Sequence, residues 1–399
     1  MNGGIGEPLA GPDEVNPGDQ PVRLIRSEAQ KAPEQGIALC LSGGGYRAML
    51  FHAGVLWRLN EASMLTRLDR VSSVSGGSIS AGVLAMNWKH LDFDQHGVAQ
   101  QFVPQVVEPI RGLAGENVDV TSVLVGIGLP FTSISDRVVK AYRKHLFGKT
   151  TLQDLPEKPR FVINATNLES GVLMRFSKPY LADYRVGRVN SPDLPLAVAV
   201  AASSAFPPFL SPCTVDLRHE DWVPDAGTDL TTEEFRGEIR LSDGGVYDNL
   251  GLETAWKRYS TILVSDAGGH MGADAEPPGD WLRHTLRVLE VIDNQVRSLR
   301  KRQVIEGFKT GARTGVYFGI RSNPLSYPLA DPIPVDRKVT RQLAAVATRL
   351  DAMDDGLQEH LINWGYAICD TGLRAHVTPG RPPGRLPYPD SPLDQKEQL

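Results

Sequence analysis

The stretch Leu68–Trp88, LDRVSSVSGGSISAGVLAMNW, decides how this chain is read. Apolar and small residues through Val74 read as a buried strand, Gly76 and Gly77 mark an abrupt turn, and a helix begins near Gly77. Ser75 stands at the corner. A serine between small residues at a strand-to-helix turn is the form of a nucleophile elbow, GxSxG, whose small neighbours leave the hydroxyl accessible. Here the pattern is Ser73, Val74, Ser75, Gly76, Gly77, so a serine replaces the first glycine and would adopt positive φ less cheaply. Ser78, within GxSxS, is the competing nucleophile, but it falls inside the helix. Taken alone, a serine at such a turn is more often a helix cap than a nucleophile.

Upstream, the strand IALCL at Ile37 runs into SGGGYR, Ser42 to Arg47. Three glycines, Gly43, Gly44 and Gly45, let the backbone turn sharply and approach a ligand without Cβ interference. The helix that follows, from Tyr46 to about Leu59, aims unsatisfied N–H groups and the positive end of its dipole at the loop, which favours an anion there. Gly43, Gly45 and Ala48 also satisfy the dinucleotide pattern GxGxxG/A. That pattern wants an acidic residue at the end of the following strand, where this chain has Ser75, Gly76 and Gly77. The GKT at Gly148 to Thr150 has Arg143 where a phosphate-binding loop needs its first glycine.

Downstream, EIRLSDGGVYDNLG ends a strand with Asp243, leaving its carboxylate uncrowded between two glycines and the sheet. In a two-residue arrangement such a carboxylate accepts the serine proton directly, and burial would make it a better base than an ordinary aspartate. Asp266 in SDAGG and Asp225 in PDAG are the competing carboxylates, and turn formation alone accounts for any Asp followed by small residues. None of the nine histidines, His52 and His270 included, lies in a pattern that marks it as a triad member.

Composition narrows the alternatives. A charge of -5 from 42 basic and 47 acidic residues gives no electrostatic case for nucleic acid as a partner. Cys40, Cys213 and Cys369 are widely spaced and form no metal-binding cluster, which suits a reducing compartment. The opening MNGGIGEPLAGPDEVNPGDQ has neither a basic nor an apolar leader region, so a cytoplasmic protein is expected. The most apolar run, Leu194 to Leu210, is broken by serines and prolines and reads as buried core rather than a membrane span.

Apolar runs at Ile37, Phe161, Val172, Glu238 and Thr261 read as strands, with helical segments between several of them. This predicts an α/β fold, a buried sheet covered by helices. The expected organisation is a tail over 1–33, a single catalytic domain over 34–375 with a polar surface insertion at about 216–237, and a Pro-rich tail over 376–399.

Taken together, SGGGYRAM, LDRVSSVSGG, SDGGVYDNLG and AVAASSAFPPF resemble the patatin-like phospholipases, with a secondary likeness to the cytosolic phospholipase A2 and phospholipase B group. The resemblance spans roughly Gly36 to Gly268 and implies a three-layer fold, a central mostly parallel sheet with helices on both faces. It implies a catalytic pair of Ser75 and Asp243, an oxyanion hole from Gly43, Gly44 and Gly45 supported by Arg47, and neither cofactor nor metal. The implied substrate is a lipid or acyl ester, and transfer to another alcohol is a close variant. A catalytically weak lipid-binding or regulatory protein on the same fold is the alternative from another class. A lipid substrate implies transient contact with a membrane or micelle. Trp281 to Lys309 offers apolar residues at helical spacing beside Arg297, Arg300, Lys301 and Arg302, but the expected role of such a helix is to pack on its own core.

Overall fold

β1 (Glu34–Leu41) places Leu39 and Leu41 in one apolar core and Ala38 and Cys40 in another, and solvent reaches none of the four. A strand buried on both faces belongs inside a sheet covered by helices on each side. The computed structural model, which describes residues 32–118, 132–208, 210–225 and 227–394, has that architecture.

Five parallel strands form the centre, in the order β11 (Thr314–Gly319), β10 (Tyr259–Asp266), β1, β2 (Arg70–Val74) and β3 (Arg160–Asn167). Beyond β3 the sheet continues as antiparallel strands β4 (Val172–Ser177), β5 (Tyr180–Asp183), β6 (Gly187–Asn190) and β8 (Trp222–Val223). β9 (Glu238–Asp243) runs antiparallel to both β3 and β7 (Cys213–Asp216). The larger core, with Leu39 and Leu41, takes in α1 (Gly45–Glu61), α2 (Gly76–Met86), α3 (Leu196–Ser203), α5 (Arg337–Ala345) and α6 (Asp355–His376). The smaller core joins Ala38 and Cys40 to Leu250, Leu252 and Val304, the last of these on α4 (Trp281–Lys309).

One edge of β3 positions the site. β2 pairs in parallel with its first half and ends with Val74 opposite Asn164. β9 then takes the second half in the opposite direction and ends with Asp243 opposite Ala165. Two strands approaching head-on along one edge thus end one register position apart, and the turns that follow them must share the space between.

Three expectations change. The segment after α6 docks instead of trailing: Leu393 is fully buried, Asn363 Nδ2 donates to the carbonyls of Tyr388 and Ser391 at 2.8 Å each, and the Tyr388 ring packs against Trp57. Its prolines limit helix and sheet, but the carbonyls are satisfied by side chains of α6. The stretch 216–237 contributes β8 to the sheet margin and a helical turn, Glu233–Arg236, as well as surface loop. The expected N-terminal tail falls, up to residue 31, outside the described residues.

The third change concerns α4. Only Val304 and Gly307 of its 29 residues are buried, whereas Trp281 is 78% exposed and Leu282, Leu289, Ile292 and Leu299 are each more than half exposed. Its apolar stripe therefore does not pack on the core. The reason is ionic: Lys301 Nζ pairs with Asp266 at 2.6 Å, Arg300 with Glu253 at 2.9 Å, and Arg297 donates to the Gly269 carbonyl at 2.6 Å. The basic residues hold the helix to the sheet, and the apolar ones are left outside.

Candidate active site

Ser75 joins β2 to α2 with φ 52° and ψ -122°. A non-glycine residue there stores about 1–3 kcal/mol of backbone strain, the kind of cost that surrounding bonds must hold in place. Ser73, the residue that departs from the elbow pattern, lies within β2 and does not take positive φ, so no glycine is required at its position. Its hydroxyl lies 3.0 Å from that of Ser78, which lies 2.9 Å from that of Ser203. Ser78 is wholly buried in this network, whereas Ser75 keeps 8% exposure. Only Ser75 is open to a substrate of the two.

The turn after α3 ties the two arms of the site together. Ser203 Oγ accepts from the Ser75 N–H at 2.9 Å and donates to the Asn164 carbonyl at 2.7 Å. The Ala205 carbonyl accepts from the N–H of Asp243 at 2.8 Å, and the Ser203 carbonyl from that of Gly244 at 3.2 Å. The motif AVAASSAFPPF gives Ser203 no role from its pattern alone. Its signal was a serine ending an otherwise apolar helix, where a buried hydroxyl must find partners. Phe209, the end of that motif, lies outside the described residues.

Asp243 is 2% exposed. Its Oδ1 accepts from Gly245 N–H at 2.7 Å, while buried Oδ2 has no full hydrogen bond. Burial pushes its pKa up to about 7; the Ser75 hydroxyl and the Gly245 N–H draw it down, and the charge of Asp293 on α4 adds a smaller upward push. The contact from Ser75 is therefore loose, short of a full hydrogen bond. A carboxyl so poised exchanges a proton near neutral pH.

The glycine loop lies against this pair. A Cβ on Gly43 would come within 3.1 Å of Ser75 Cβ, and one on Gly76 within 2.1 Å of the Gly45 carbonyl oxygen. Gly44 and Gly45 have φ of 141° and 58°, conformations that side chains resist. Of the three expected oxyanion donors, Gly43 already gives its N–H to the Asn249 carbonyl at 3.1 Å. The N–H groups of Gly44 and Gly45, at the start of α1, have no hydrogen-bond partner among the described residues. The same holds for Gly76, the first residue of α2, which the sequence pattern marks only as a small neighbour of Ser75.

Arg47 braces the loop from behind. Its guanidinium donates to the carbonyls of Ala267 at 2.7 Å, Val346 at 2.6 Å and Ala344 at 3.3 Å. Burial, then the charge of Arg321, draws its pKa down to about 10, which leaves it cationic at neutral pH. His52 does similar work: Nε2 donates to the Ser42 carbonyl at 2.9 Å, which fixes the tautomer, and Nδ1 accepts from Ser265 Oγ at 2.8 Å. Burial lowers its pKa to about 4, so it is a neutral core residue whose two nitrogens are occupied.

The competing carboxylates are elsewhere engaged. Asp266 is buried, but Lys301, the Tyr317 hydroxyl at 2.6 Å and the Gly268 N–H at 2.8 Å overcome that burial and hold its pKa at about 2. Asp225 lies exposed on the 216–237 segment. Asp248 is buried and accepts the N–H groups of Leu250 and Glu253.

A family model described as patatin-like phospholipase matches residues 39–256, more than half of the chain. No curated protein sequence matches it. Solved structures similar to the chain include human GIVD cytosolic phospholipase A2, at 12% identity and a TM-score of 0.45 over 88% of this chain and 62% of that one. VipD from Legionella pneumophila matches at 16% identity and a TM-score of 0.31, over 79% of this chain and 66% of that one. The type III effector protein ExoU matches at 14% identity and a TM-score of 0.32, over 85% and 52%. The chain thus spans about three fifths of the length of the human protein.

Proposed function

The chain belongs to the patatin-like phospholipase family, and on that footing we propose that it is a serine acyl hydrolase of lipids working through Ser75 and Asp243. The observation that carries the reading is the head-on convergence of β2 and β9 on one edge of β3, beside a glycine loop with unengaged N–H groups. Asp243 takes the proton of the Ser75 hydroxyl as Oγ attacks the ester carbonyl carbon. The resulting oxyanion is held by the N–H groups of Gly44 and Gly45, an interaction worth about 3 kcal/mol per well-aimed donor. Gly43, with Arg47, shapes the loop rather than donating. Collapse expels the alcohol, which leaves with the proton from Asp243, and the acyl group stays on Ser75. Water activated by the same carboxylate then releases the fatty acid.

Transfer of the acyl group to a second alcohol in place of water is the same chemistry with another acceptor. Long-chain substrate reaches the site from a membrane or micelle, and the exposed apolar residues of α4 supply a contact for it. Among the described residues, no helix is long and apolar enough to cross a membrane. Cys40, Cys213 and Cys369 are all free and buried, consistent with cytoplasmic work and peripheral membrane contact.

A fluorophosphonate probe tests the reading, because it reacts with an activated serine. Ser75 is expected to label, and Ser75→Ala to lose both labelling and ester hydrolysis, by about a thousandfold or more. A folded wild-type protein that binds lipid vesicles but neither labels nor hydrolyses would instead be a lipid-binding or regulatory member of the family.

A further inference from the structure

Away from the dyad, three arginines line one cavity. Arg321 follows β11, Arg337 opens α5, and Arg341 stands one turn later on the same helix. With Thr340, Ile320 and Ala344 they enclose about 190 Å³, and no carboxylate is among the lining residues. The space has room for several water molecules, and so for a tetrahedral oxyanion with part of its substituent.

Local bonds hold two of the three guanidiniums in place without neutralising them. Arg321 Nη2 donates to the Ala344 carbonyl at 2.9 Å, and Arg337 Nη1 to the Ser322 carbonyl at 2.6 Å and Thr340 Oγ1 at 3.2 Å. Every one of those acceptors is uncharged. Arg341 is exposed and makes no ion pair or hydrogen bond among the described residues. Burial, then the neighbouring charge of Arg341, lowers the pKa of Arg337, and burial lowers that of Arg321, where nearby Arg297 adds to the effect and Asp266 opposes it. Like charges gathered with no carboxylate among the lining residues are costly unless an anion joins them.

We propose that the cavity between Arg321, Arg337 and Arg341 is a binding site for a phosphate group. Three guanidiniums from separate backbone positions match an anion with three oxygens in three directions, whereas a carboxylate is satisfied by one planar fork. The group comes either as free phosphate or as a phosphate-bearing lipid headgroup. The cavity adjoins the loop brace described above, because the Ala344 carbonyl accepts from both Arg321 and Arg47. A lipid held there would therefore sit against Arg321, which shares its carbonyl acceptor with Arg47 on the helix that follows the glycine loop.

Binding to the full chain is measured by calorimetry with inorganic phosphate at fixed ionic strength, with chloride as the control anion. Saturable binding is expected, and Arg337→Gln with Arg341→Gln should weaken it about tenfold or more, as loss of charge-assisted bonds implies. Circular dichroism in chloride checks the fold. Should the double variant fail to fold, Arg341→Gln alone carries the test, because that side chain makes no hydrogen bond or ion pair among the described residues.

Phosphatidylcholine vesicles containing phosphatidic acid are then added. Displacement of phosphate from the wild type by these, and not by phosphatidylcholine alone, assigns the site to a lipid headgroup. Absence of displacement assigns it to free phosphate. Phosphate binding no stronger than chloride, or equal in wild type and variants, overturns the proposal. Because the readout needs no turnover, it is independent of the hydrolase reading, and parallel fluorophosphonate labelling of Ser75 reports on that reading separately.

Discussion

Two strand ends in this molecule carry nearly the same residues, SDGG after β9 and SDAGG after β10. Both aspartates are buried, and each accepts the N–H of the glycine two positions on, Gly245 for Asp243 at 2.7 Å and Gly268 for Asp266 at 2.8 Å. There the likeness stops. Asp266 meets a lysine and a tyrosine and is held ionised at about 2, while Asp243 meets the nucleophile elbow with one oxygen unsatisfied and rises to about 7. The same local motif makes a structural anchor in one place and, under the proposed function, a base in the other. What differs is supplied by distant parts of the chain: Lys301 and Tyr317 in one case, Ser75 in the other.

The comparison is tested hardest by Asp243→Asn. Hydrolysis of short acyl esters should fall by about a thousandfold, since the amide cannot take the serine proton. The fold should be more stable at pH 8 by at least about 1 kcal/mol. With its folded pKa raised, Asp243 favours the folded state below about pH 4, and that contribution is lost as pH rises towards 7. The amide has no such loss. Retained activity with no gain in stability would mean that Asp243 is another anchor.

The reciprocal change, Asp266→Asn, should do the opposite. It leaves Lys301 without its partner and should cost about 2 kcal/mol, a value reduced for the partial exposure of the lysine. Urea titration measures this loss, and labelling of Ser75 per folded molecule should be retained. A stable, unlabelled Asp266→Asn protein would exchange the two roles.

The pH profile separates the carboxylates without mutation. If Asp243 is the base proposed above, it must be ionised to act, so kcat/KM should rise about tenfold per pH unit up to an apparent pKa of about 7 and then level. A profile flat from pH 5 to 8 would contradict a buried, unneutralised base. Smallest of all is Ser73→Gly, which restores the usual elbow pattern. Because Ser73 sits in extended strand, rates should change less than about threefold, while the lost contact to Ser78 and the added chain freedom cost about 1 kcal/mol. A large gain in rate would show that the serine restrains the elbow after all.

Strands with apolar runs, such as IALCL and the start of FVINATNL, were legible because burial on both faces leaves its mark on successive residues. β5, β6 and β8 were not: they hold two to four residues each, too few for a period to register. Ser75 was legible from its two glycine neighbours, and Gly43 to Gly45 from their succession. That Gly43 is already bonded to Asn249 was not, since a backbone carbonyl leaves no trace in side-chain sequence. α4 shows the same limit, because its periodicity was plain while the side it turns outward was set by ion pairs to Asp266 and Glu253.

The sequence by itself determined the α/β class, the sharp turn at Ser75 and the flexible glycine loop, because these rest on local sterics and on which residues avoid water. Only the tertiary structure decided which aspartate faces that turn. The ends of β2 and β9 meet because each pairs with a different half of β3, and no local propensity encodes a meeting between residues 168 positions apart.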